Sequence, residues 1–152
     1  NRGTLLGSPI LGLTGIGPAN ELVEVPKGIS ETEAVPLYLH NLRKLMVFKP
    51  EAADELALVI HVENMAKARL RSRGIARTSI LAESLKNLPC SLHCIFGEKD
   101  TTLHPDFAGI KKYVEDIHPG ASFYIIEDAG HWVQFEAYEK VNSILQEILN
   151  ED

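Results

Sequence analysis

The sequence predicts an α/β protein: a short parallel sheet of about three strands with helices packed along it. Three observations predict it. After Pro89 two apolar runs of strand length, "SLHCIFG" and "SFYII", are separated by "DFAGIKKYVEDI", whose Phe107, Ile110, Val114 and Ile117 recur at helical spacing. A loop carrying Gly130-His131 follows the second run, and then a helix with Tyr138, Val141, Leu145 and Ile148 as its stripe. Strand, helix, strand, loop, helix is the rhythm of a parallel sheet. The composition agrees: 45% hydrophobic and 24% charged residues is globular, and 152 residues can bury one sizeable core.

The remaining elements follow in chain order. Thr4 to Gly7 is a short strand candidate running into the glycine-rich "GSPILGLTGIG". Residues 18–29 are irregular, broken by Pro18, Pro26 and Gly28. Ser30 and Glu33 have capping-box spacing and start a helix, although Pro36 permits a start there instead; Leu42, Leu45 and Met46 are its apolar positions. Pro50 fits the first position of a second helix from about Glu51 to Arg71, with Val59, Val62, Ala66 and Leu70 on one face and Gly74 as its stop. A third helix, Ile80 to Asn87, ends before Pro89.

Bulk properties exclude several roles. A net charge of −6 argues against a nucleic-acid or anionic-membrane surface. The basic stretch Lys67, Arg69, Arg71, Arg73 and Arg77 reads as a solvated helix face and turn, with a pocket arginine for a carboxylate substrate as its alternative. No apolar run approaches the roughly 20 residues of a membrane helix, and no signal peptide opens the chain. Two cysteines, Cys90 and Cys94, fit a reducing cytoplasm. With His93 they could be read as metal ligands, but strand alternation puts His93 on the opposite face from both cysteines. No metal and no organic cofactor is expected.

Two loops carry the chemistry. "FGEKD" ends in Asp100 and "EDAGHW" holds His131, each following the carboxyl end of a strand. In a parallel sheet such loops can be neighbours, so the carboxylate can accept from the imidazole Nδ1–H and leave Nε2 facing a nucleophile. That is the acid–base half of a triad in the order nucleophile, acid, histidine. Trp132 reads as core or substrate-pocket lining, Glu136 as a helix-start acid favourable to the dipole, and His104 beside Pro105 as a helix start. The nucleophile itself is not found. The best imitation of an elbow is Leu6-Gly7-Ser8-Pro9-Ile10, with bulk where small residues are needed. Pro9 excludes Ser8, because the residue after the nucleophile must donate a backbone N–H to the oxyanion. Cys94 lies inside a strand and Cys90 precedes one.

"CSLHCIFGEKDTT" followed by "IIEDAGHWVQFEAYEKVNSILQEIL" closely resembles the C-terminal region of α/β-hydrolase-fold enzymes: strand-Gly-x-x-Asp, strand-x-x-x-Gly-His-Trp, then Glu136 and a closing amphipathic helix. The resemblance departs at Glu136-Ala137-Tyr138, where the family often has proline before the last helix. "GTLLGSPILGLTG" is similar to the sixth core strand of that fold and its exit. "SETEAVPLYLHNLRKLMVFKPEAADELA" and "ARLRSRGIARTSIL" resemble the helical cap of hydrolases near the meta-cleavage-product group. The resemblance implies a partial α/β-hydrolase fold: core strand and loop over 1–17, helical cap over 18–88, and α/β core with the acid and histidine loops over 89–152. It implies a cytoplasmic hydrolase of small organic substrates, an ester or a carbon–carbon bond beside a carbonyl. The nucleophile then lies upstream of Asn1, within about 100 residues, and the chain alone is expected to be inactive. Two other uses stay open: a cofactor-free haloperoxidase or dehalogenase on the same fold, or a noncatalytic interaction domain. The chain is further expected to associate with itself or with the missing N-terminal half through its first strand.

Overall fold

The computed structural model describes residues 2–7, 22–69, 78–103 and 106–150. Three parallel strands form one sheet in the order β1-β2-β3: β1 (Arg2–Leu6), β2 (Ser91–Gly97) and β3 (Ser122–Ile126). The register pairs Leu5 with Cys94 and Gly97 with Ile126. β1 begins and ends earlier than the sequence suggests, because its pairing with β2 extends back to Arg2↔Ser91. The helices are α1 (Glu31–Leu45), α2 (Glu55–Lys67), α3 (Ile80–Lys86), α4 (Phe107–Ile117), the short α5 (Val133–Glu136) and α6 (Tyr138–Asn150).

Alternation along β2 builds the core. Leu92, Cys94 and Phe96 point to one face, where they meet Leu85 of α3, Leu103, and Ile110 and Val114 of α4. Ile95 points to the other, against Val133 of α5 and Val141 and Ile148 of α6. Covered on both faces, β2 reads as the near-continuous apolar run that a central parallel strand requires. Fully burying one such aliphatic side chain stabilises by about 1.5–3 kcal/mol. The stripe of α6 differs from the expectation at one end: Tyr138 is 59% exposed, and Ile144 joins Leu145 against the cluster instead.

α1 starts at Ser30, not at Pro36. Both halves of the capping box are made: Glu33 N–H donates to the Ser30 hydroxyl, and Ser30 N–H donates to the Glu33 carboxylate. Pro36 is carried inside the helix. The second helix is shorter than the sequence suggests. Pro50–Ala52 make a single 3-10 turn, Ala53 leaves helical geometry, and Asp54 caps a fresh start by accepting from Ala57 N–H at 2.8 Å. An acidic cap outcompetes the proline four residues earlier. The buried face of α2 also differs: it is Ala57 and His61, while Val59 is 52% exposed and Ala66 is exposed. α2 stops at Lys67. Leu70, Arg71, Gly74 and the basic residues Arg73 and Arg77 lie outside the described residues, as do Ser8, Pro9 and His104. α1 and α2 share a third cluster, Leu42, Val47, Ala53 and Ala57, against which Trp132 and Phe135 pack.

Candidate active site

Beyond their last paired residues, β2 and β3 run on into two loops that stay bonded to each other. Glu98 N–H donates to the Ile126 carbonyl at 2.8 Å and Lys99 N–H to the Ala129 carbonyl at 2.9 Å. The contact is close enough to require glycine: a Cβ at Gly97 would overlap the carbonyl oxygens of both Ala129 and Gly130. Asp128 turns the second loop with φ of 54°, the left-handed region that aspartate tolerates better than most residues.

The loops bring together Asp100 and His131. Asp100 is fully buried, and its Oδ2 accepts from His131 Nδ1–H at 2.9 Å. Its other oxygen accepts from Thr102 twice, from the backbone N–H at 2.8 Å and the hydroxyl at 2.7 Å. A buried carboxylate is costly unless its lone pairs are occupied, and here they are. The Thr102 hydroxyl also lies 3.4 Å from His131 Nδ1, so it closes a small polar triangle around the ring nitrogen. His131 is half-buried, and bonding at Nδ1 fixes the tautomer that leaves Nε2 unprotonated. Such an imidazole can accept a proton at Nε2 while the carboxylate stabilises the charge it acquires.

Thr102 is a participant that the sequence does not single out, and Glu136 has a partner set that the sequence does not show. Thr102 is recognisable in retrospect, because Asp-x-Thr is the spacing of an Asx-turn, in which an aspartate accepts the N–H two residues on. Glu136 is the acidic residue of the one-turn helix α5, and its carboxylate also accepts backbone N–H groups from Gly130, Phe48 and Lys49. Trp132 packs in the cluster shared by α1 and α2, edge-on to His61 at 6.2 Å and to Phe135 at 6.0 Å. A cleft of about 510 Å³ opens nearby between Lys49, Asp54, Gln134, Phe135, Glu136 and Tyr138, and none of Asp100, His131 and Trp132 lines it.

Neither cysteine joins the pair. Cys94 is buried in the sheet core, which pushes its thiol up to about 12, so it carries no thiolate at neutral pH. Its neighbour His93 lies on the opposite face, its ring stacked on Tyr124. Among the described residues no group of three or more His, Cys, Asp or Glu side chains is placed to hold a metal ion, and no helix is long and apolar enough to cross a membrane.

A parallel sheet covered by helices on both faces, with acid and histidine on adjacent strand-end loops, is the α/β-hydrolase fold, over a part consistent with its C-terminal half. Solved structures bear this out. The chain is similar to a meta-cleavage product hydrolase from Pseudomonas fluorescens, with a TM-score of 0.67 and 17% identity over 99% of this chain and 56% of that one. It is also similar to a bromoperoxidase from Bacillus anthracis (TM-score 0.68, 12% identity, 99% of this chain and 58% of that one). A carboxylesterase from Bacillus subtilis gives a TM-score of 0.57 at 14% identity, over 99% of this chain and 51% of that one. The chain thus spans between about half and three fifths of the length of these structures. No protein-family model matches the sequence, and no curated protein does.

Proposed function

We propose that Asp100 and His131 are the acid and the base of a nucleophile-acid-histidine triad, in a hydrolase acting on a small organic ester or on a carbon–carbon bond beside a carbonyl. The observation that carries this reading is the 2.9 Å bond between His131 Nδ1 and the fully buried Asp100, made at the ends of adjacent parallel strands. His131 Nε2 takes the proton of the nucleophile as it attacks the carbonyl carbon and returns it to the leaving group. Asp100 holds the ring throughout. The nucleophile and oxyanion donors come from residues upstream of Asn1, since Pro9 disqualifies Ser8. Residues 18–88 act as the cap, with Trp132 at its junction with the core, and the protein works in the cytoplasm without a cofactor. Through the outer edge of β1 the chain pairs with a further strand, of another copy or of the segment carrying the nucleophile.

The test is hydrolysis of p-nitrophenyl esters and of vinylogous diketones. The 152-residue chain should show no turnover of either beyond that of free imidazole. A polypeptide that also carries the nucleophile should be active. There His131→Ala should abolish turnover and Asp100→Asn should lower kcat about 10⁴-fold, while Ser8→Ala leaves it unchanged. Full activity with alanine at 131 would overturn the assignment. The similarity to a bromoperoxidase supports a second reading, peroxide-dependent halogenation by the same pair; halide-dependent product in place of hydrolysis would select it.

A further inference from the structure

Asp100 fixes the ring of His131; its backbone is held from somewhere else. Gly130 N–H donates to Oε2 of Glu136, and the other carboxylate oxygen accepts from Phe48 N–H at 2.9 Å and Lys49 N–H at 2.8 Å. On the far side of the histidine, Trp132 N–H donates to the Met46 carbonyl at 2.7 Å. The residues immediately before and after His131 are therefore both tied to one short segment, 46–49, where the chain leaves α1. Gly130 has no room for a side chain, since a Cβ there would lie 2.7 Å from Phe48 N and 2.9 Å from Glu136 Oε2. The same exit is tied to the acid loop, where the Thr101 hydroxyl donates to the Lys44 carbonyl at 3.3 Å.

We infer that Glu136 is a positioning residue: its carboxylate fastens the histidine loop to the exit of α1 and so sets where the His131 ring meets Asp100. A carboxylate suits this task because it only accepts, and its two oxygens can take N–H groups arriving from two directions. The strand-to-strand bonds hold the loop as far as Ala129, and α5 begins at Val133. The histidine lies in the gap between them. Without the Glu136 bridge, the N–H of Gly130 loses its partner and the backbone of that gap is tied to the exit of α1 only through Trp132. The inference deepens the proposed triad, and its kinetic arm rests on that reading; its spectroscopic arm does not.

The experiment follows the His131 Nδ1–H proton by NMR in the intact chain, with Asp100→Asn as the control that removes its acceptor. Glu136→Gln keeps one carbonyl oxygen for Phe48 and Lys49 but turns an NH₂ group towards the Gly130 N–H, donor against donor. Lys49→Pro removes one of the donors while leaving Glu136 and His131 untouched, and the φ of −75° at Lys49 suits proline. In each variant the Nδ1–H signal should broaden and exchange with solvent on the order of tenfold faster. In a polypeptide supplying the nucleophile, kcat should fall roughly 10- to 100-fold with KM little changed. A signal and exchange rate equal to wild type in either folded variant would overturn the inference and leave Glu136 a structural residue. Altered exchange in the variants, with no activity even in the wild-type polypeptide that carries the nucleophile, would uphold the positioning role and reject the triad.

Discussion

At the scale of single residues, the separation of acid and base depends on a side chain that is missing. Gly97 is the last paired residue of β2, and the histidine loop crosses directly over it. Gly97→Ala must push Ala129 and Gly130 outwards, which should cost about 1–3 kcal/mol as an overpacked contact and lengthen the Asp100–His131 bond. Thermal melting together with the Nδ1–H signal checks this; an unchanged melting temperature would show that the loops tolerate separation. Asp100 and His131 were legible in the sequence because each follows a strand-length run at a fixed offset. Thr102 and the partners of Glu136 were not, for different reasons. Thr102 repeats a local turn pattern common in any loop, whereas Glu136 finds its partners at sequence separations of 87 and 88 residues. No periodicity reports a contact between a carboxylate and backbone that distant.

At the scale of elements, β2, β3, α3 and α4 match the expectation closely because strong periods and clear stops define them. Ser91–Gly97 is bounded by Pro89 and by the Gly97 turn, and α4 by the Asp106 cap, whose side chain accepts from Gly109 N–H at 3.0 Å. α2 was misread in start and face, since its sequence is apolar around most of its circumference and only packing selects a side. The side selected includes His61, which is buried edge-on to Tyr38 and Trp132. Burial lowers the His61 pKa below 6.5, because the charged ring would lose its hydration there. The unfolded chain then binds the proton more readily. The stability contributed by the neutral ring is complete above the unfolded value of about 6.5 and is lost as pH falls through the folded one. Urea midpoints from about pH 7.5 down to about 5, the range in which histidine titrates, should fall more steeply in wild type than in His61→Leu. Parallel slopes would show that His61 does not titrate against folding.

At the scale of the whole molecule, among the described residues β1 is an edge strand of the sheet. Among the described residues β1 pairs only with β2, so the groups along its other edge have no strand to meet. An exposed parallel edge recruits a further strand, and a net charge of −6 opposes this weakly, since screening at physiological salt acts within about 8 Å. The chain should therefore be larger than a monomer by light scattering at micromolar concentration, and a well-folded monomer would refute the open-edge argument. The strut at residues 46–49 also joins two distant stretches of the chain at one loop. Asp100 and His131 lie 31 residues apart, in the loops that follow the two strands of a single strand-helix-strand unit. Loop closure grows costlier with length only logarithmically. The histidine loop is fixed by two kinds of closure: the 31-residue one to Asp100, and those of 87 and 88 residues from Glu136 to segment 46–49. A change confined to the exit of α1 can reach the histidine loop through the longer ones.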